Sequence, residues 1–148
     1  MRESWMREAL AEAELALASG EVPVGAIVVW GDEVIARAHN EREALDDPTA
    51  HAEMLAIRRA AKALGRRRLT GCTLYVTLEP CPMCAGGIVM AELDAVYYGA
   101  RDMRAGCAGS VYALPEDPAF GRRIPCMGGM LERECEAVLA RFFGARRE

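Results

Sequence analysis

The sequence predicts an α/β protein, a three-layer α/β/α sandwich around a central mixed sheet of about five strands. Two observations carry this. In the second half, short apolar runs alternate with helix-length segments, and strands separated by helices pair in parallel. In the first half, "VGAIVVW" and "EVIARAH" flank a "GD" turn, which makes an antiparallel hairpin at the start of the sheet.

The elements follow in order. From about Ser4 to Ser19, Trp5, Leu10, Ala13 and Leu17 recur near a 3.6-residue period, and Gly20 is a good C-cap, so the chain opens with a helix. After the hairpin, "DPTAHAEMLAIRRAAKALG" is a second helix, with Asp47 as expected N-cap, Pro48 at the first helical position and Gly65 as stop. "TLYVTL" is a third strand, "PMCAGGIVMAEL" a third helix with its thiols in the first turn, and "AVYYG" a fourth strand. Residues 101–123 are rich in glycine and proline, and are expected to be loop with at most one short helix. A last strand near Ile124 is weak, because Pro125 confines it to an edge. "LERECEAVLARFFGARRE" closes the chain as a helix. Without repeats or linkers, the 148 residues read as one domain, 1–148.

Composition narrows the function. A formal net charge of −4 is no mark of a general nucleic-acid binder. Arginines nevertheless cluster at Arg58, Arg59, Arg66, Arg67 and Arg68 around Lys62, the only lysine, and again at Arg141, Arg146 and Arg147. A local patch of this kind can serve one polyanion. No apolar run is long enough for a membrane span, and acidic residues interrupt the apolar part of the N-terminus, so a cytoplasmic protein with reduced thiols is expected.

The chemistry is concentrated in "TLEPCPMCAG". Cys81 and Cys84 can hold a metal, shuttle electrons as a dithiol, or pack in a core. A hydrolytic zinc site needs three protein ligands and an open position. His51 is a candidate third ligand, and Glu53, two residues on, a candidate proton shuttle. Positions i and i+2 of a regular helix point about 200° apart, so the two converge only if the metal sits off the helix end. A structural zinc with His39 as fourth ligand stays open, as does the redox dithiol. Cys72, Cys107, Cys126 and Cys135 lack paired spacing and read as small buried or half-buried residues. The combination of H-x-E with a downstream P-C-x-x-C matches the known signature of zinc nucleobase deaminases, which makes hydrolytic deamination the expected reaction.

Across almost its whole length the chain also resembles bacterial tRNA-specific adenosine deaminases of the TadA type. "EVPVGAIVV", "HN", "DPTAHAEM", "TLYVTLEPCPMCAGG", "YYGARD" and "FFGARR" stand in the same order as family segments. The resemblance implies a cytidine deaminase-like fold and one Zn2+ per subunit on His51, Cys81 and Cys84, with Glu53 as proton shuttle. It further implies that Asn40 holds the flipped-out nucleoside and that Val24 and Ala52 line the base pocket. Asp102 would touch the neighbouring nucleotide, and Phe143 and Arg146 would meet the anticodon loop. The implied enzyme is a homodimer that converts adenosine to inosine at the wobble position, acting on the tRNA anticodon stem-loop and not physiologically on DNA. Deamination of a free cytosine or guanine base or nucleotide is the alternative. "CAGGIVMAEL" supports a dimer face through the small Ala85, Gly86 and Gly87 and the apolar Ile88, Val89 and Met90.

Overall fold

The structure, a computed structural model, describes residues 2–147, with side chains as far as residue 144. Helix α1 (Arg2–Ala18) leads into the hairpin of β1 (Gly25–Trp30) and β2 (Glu33–His39). Then follow α2 (Ala52–Leu64), β3 (Cys72–Leu78), α3 (Pro82–Ala91), β4 (Ala95–Ala100), the short β5 (Cys126–Met127) and α4 (Glu132–Arg147). The five strands form one sheet in the order β2-β1-β3-β4-β5. β1 is antiparallel to both β2 and β3, whereas β3–β4 and β4–β5 are parallel, so the sheet is mixed as expected.

The two faces of the sheet make two cores. β1 shows no alternation of buried and exposed positions; its residues from Gly25 to Val29 are all buried because both faces are covered. On one side Val28, Leu74, Val76 and Val96 pack with Leu55 and Ala56 of α2 and Ile88 of α3. On the other, Ile27, Val29 and Tyr75 pack with Met6 and Ala9 of α1 and Cys135 of α4. This is the three-layer arrangement. Among the described residues, no helix is long and apolar enough to cross a membrane.

Local chemistry overrides the expected start of α2. Asp47 Oδ1 accepts from the backbone N–H of Thr49 at 2.8 Å and from its hydroxyl at 2.7 Å, closing a turn ahead of the helix. The N-cap is instead His51, with extended backbone at φ −75° and ψ 151°. Pro48 precedes the helix rather than starting it. Residues 101–123 hold two one-turn 3₁₀ helices, Leu114–Glu116 and Pro118–Phe120, where at most one was expected. Each has a proline in its first two positions, which fixes φ near the helical value. β5 lies at the sheet edge, and Pro125 contributes through its carbonyl, which accepts from Val96 N–H at 3.0 Å.

Gly25 sets how closely α1 lies on the sheet. A Cβ there would come 2.0 Å from Ala9 O and 2.5 Å from Ala13 N, both backbone atoms. Its N–H donates to Thr77 Oγ1 at 3.1 Å, and the neighbouring Val24 carbonyl accepts from Asn40 N–H at 3.1 Å. Gly25→Ala is therefore expected to lower the free energy of unfolding by about 1–3 kcal/mol or more, the usual cost of overpacking, as measured by chemical denaturation.

Candidate active site

The site forms where two helices begin. His51 is the N-cap of α2 and Cys81 the N-cap of α3, and neither side chain caps its own helix. The imidazole and thiol are thereby left to point off the helix ends, while Cys84 sits in the first turn of α3, fully buried. β1 and β3 bring both ends together through their pairing, since α2 follows the hairpin and α3 follows β3.

His51 Nδ1 lies 3.6 Å from Cys81 Sγ and 3.5 Å from Cys84 Sγ. One ligand atom from each of the three residues falls within 4.8 Å of the others, which makes a group able to hold a metal ion. His39 is not part of it. Its Nδ1 is 2.9 Å from Glu12 Oε1 of α1, so the four-ligand alternative that counted His39 is set aside. All six cysteines are free, with Cys72, Cys107 and Cys135 buried and Cys126 half-buried.

The groups of the site shift one another's protonation. A hydrogen bond with Cys84, followed by one with His51, brings the Cys81 thiol down to about 4. The same contact with Cys81, reinforced by burial, pushes Cys84 upward. The hydrogen bond to Cys81 raises His51. Burial pushes the Glu53 carboxyl up to about 7. The positive ends of α2 and α3 both face this group, which favours thiolates.

A pocket of about 150 Å³ opens beside the group, lined by Val24, Asn40, His51, Glu53, Cys81 and Asp102 among others. His51 and Glu53 share it because His51 stands outside the helix, so the 200° separation of a regular helix does not apply. Asn40 is buried. Its Nδ2 donates to Val22 O at 3.2 Å, while its Oδ1 has no partner. A buried amide oxygen without a donor is ready to accept from a ligand.

Other expected residues lie apart from this pocket. Ala52 is fully buried and does not line it. On α4, Phe142 is buried and Phe143 is 49% exposed, with their rings edge-on at 5.2 Å. The side chain of Arg146 lies outside the described residues. Arg141 is engaged by Glu14 of α1 at 2.8 Å.

Sequence reasoning missed Arg42 and Glu79 on the pocket lining. Glu79 had a visible signal, a charged residue directly after an apolar strand and two residues before Cys81. Arg42 had none beyond its place two residues after Asn40.

The fold, with a His–Cys–Cys group able to hold a metal beside a buried carboxylate, has the make-up of a deaminase. The chain matches the family model of MafB19-like deaminases over residues 1–114. It is 50% identical over 141 residues to the tRNA-specific adenosine deaminase of Bacillus subtilis (strain 168), covering 95% of this chain and 88% of that protein. The tRNA-specific adenosine deaminase of Aquifex aeolicus (strain VF5) is 44% identical over 96% of this chain and 93% of its own length. A solved structure from studies of A-to-I editing by tRNA:A34 deaminases superposes with a TM-score of 0.87 at 42% identity, covering 91% of this chain and 98% of that one. The chain belongs to the family of tRNA-specific adenosine deaminases.

Two substitutions separate the candidate metal ligands from the other histidine. Cys81→Ala is expected to abolish tight metal binding, and His39→Ala to keep about one ion per chain, both read by elemental analysis of purified protein.

Proposed function

We propose that this protein hydrolyses adenosine to inosine at the wobble position of a tRNA anticodon, with one zinc ion per subunit on His51, Cys81 and Cys84. The observation that carries the reading is the imidazole nitrogen held 3.5–3.6 Å from two thiol sulfurs beside a buried carboxylate. Tetrahedral zinc with Zn–N of about 2.0–2.1 Å and Zn–S of about 2.3 Å sets nitrogen and sulfur about 3.5–3.6 Å apart, so the donor set fits the ion. One histidine and two cysteines leave a fourth position open, as a hydrolytic site requires. Bound there, zinc supplies Lewis-acid activation of water.

The chain's own residues supply the rest. Glu53, 4% exposed and on the pocket wall, takes the proton from the attacking water and gives it to the adenine ring nitrogen as C6 is attacked. It then takes the remaining proton from the new C6 hydroxyl, which becomes the carbonyl, and delivers it to the amine, which leaves as ammonia. A carboxyl raised toward neutrality can do both. Asn40 Oδ1 accepts from the flipped-out nucleoside, Val24 packs on it, and Asp102 meets the neighbouring nucleotide. The base pocket is small, which suits one extruded base from a loop that is already unpaired.

Recognition of the anticodon stem-loop rests on the names of the relatives and on an exposed aromatic at Phe143. Arg146 would add a phosphate contact there. Such an enzyme works in the cytoplasm, and DNA is not its physiological substrate. A homodimer is supported by α3, where Val89 is half-buried and Met90 is 76% exposed, next to exposed Phe120. Gly86 leaves open space for a partner backbone. Gly87 does not, because a Cβ there would come 2.7 Å from Met54 Sδ of α2; that glycine serves packing within the chain.

Glu53→Gln should retain zinc while the rate on an anticodon stem-loop falls by about 10²–10⁴-fold. Turnover near wild type would contradict the assigned role. Free adenosine, cytidine and guanine should all react more slowly than the stem-loop at equal concentration. Faster reaction of any of them would replace the tRNA reading with that of a free-base or nucleoside deaminase. Sedimentation should show a dimer at micromolar concentration, and Met90→Glu should shift it toward monomer.

A further inference from the structure

A second buried carboxylate lines the same pocket. Glu79 follows β3, is 2% exposed, and stands two residues before Cys81. Its Oε1 accepts from the Asp102 N–H at 3.0 Å and from the Ser110 hydroxyl, and its Oε2 from the N–H groups of Ala108 at 3.1 Å and Ser110 at 2.9 Å. A carboxylate has about four acceptor positions, and these four donors fill them. The segment also closes tightly around it. A Cβ at Gly106 would come 2.4 Å from Glu79 Cδ, and Cys107 N–H donates to Pro80 O at 2.8 Å.

The geometry divides the work of the two carboxylates. Glu53 stands beside the metal-binding group, whereas both Glu79 oxygens are committed to backbone and hydroxyl donors. We propose that Glu79 is a positioning residue for the deamination: by fastening residues 102–110 to the turn that presents Cys81, it holds Asp102 on the pocket wall against the substrate. This rests on the deaminase reading above. Glu79 neither carries the proton nor binds the metal. Held this way, the wall needs no reordering when substrate arrives, and a displacement of about 1 Å at such a wall is enough to cost about 10²-fold in rate.

Glu79→Gln tests this, because it keeps the shape but turns one acceptor into an NH2 facing N–H donors. Zinc content should stay at one per chain, and kcat/KM on the stem-loop should fall about 10–100-fold, chiefly through KM. Amide hydrogen exchange at Asp102, Ala108 and Ser110 should accelerate, and the midpoints of the pH–rate profile should stay where they are in the wild type. Ser110→Ala, which removes one of the four donors, should move exchange and KM in the same direction by less. Should the glutamine variant fail to fold, Glu79→Asp and Ser110→Ala carry the same readouts. Wild-type kcat/KM, unchanged exchange in the segment, or a displaced pH midpoint would each overturn the proposal. Wild-type protein inactive on the stem-loop would sink the substrate assignment instead, and the exchange measurement would still decide what Glu79 holds.

Discussion

Two helices begin at the same point, and the site depends on that meeting. α2 starts at His51 and α3 at Cys81, each an N-cap with extended backbone whose side chain is not spent on its own helix. N-cap side chains usually satisfy the first orphan N–H groups, at a gain of about 1 kcal/mol. Here that stabilisation is given up at both ends. What is gained is a nitrogen and two sulfurs converging in the positive field of two helix ends, where thiolates are favoured. The sheet enforces the meeting: Ala26 to Trp30 of β1 register with Val76 to Cys72 of β3, which fixes where the segments leading into both helices leave the sheet.

Much of the pocket wall comes from chain segments between the regular elements, and buried carboxylates secure them. Glu21, 3% exposed, accepts from the N–H groups of Glu43 at 3.1 Å and Ala44 at 2.8 Å, tying down the segment that follows Asn40. Glu79 does the same for residues 102–110 on the other side. Loops held by charge-assisted hydrogen bonds can be nearly as fixed as a strand while keeping side chains free to face a ligand. The buried, unpartnered Asn40 Oδ1 is the counterpart of this rigidity, since it is a cost in the free protein that a bound donor removes.

Much of this was legible in the residues. The hairpin was visible from "GD" between two apolar runs, and the parallel half from the strand–helix alternation of "TLYVTL", "PMCAGGIVMAEL" and "AVYYG". The metal-binding trio was visible because His and Cys at ligand spacing are chemically distinctive. What escaped was set by contacts distant in sequence or by competing local turns. Asp47 has every local mark of an N-cap, yet its side chain closes a turn with Thr49 and the helix waits until Ala52. Glu79 lies within the quoted motif, but its four donors come from 23 to 31 residues downstream. Gly87 looked like a place for a partner's backbone, and the thioether of Met54 within the chain takes that space.

The arrangement of donors around the ion is the claim on which the chemistry stands, and X-ray absorption at the zinc edge measures it directly. Protein purified with its bound metal should show two sulfurs at about 2.3 Å, one imidazole nitrogen at about 2.0–2.1 Å and one further light atom from water, an open hydrolytic site. A shell of two sulfurs and two imidazole nitrogens would mean a closed structural centre, and metal-free protein with Cys81 joined to Cys84 would mean a redox pair; either would contradict the account.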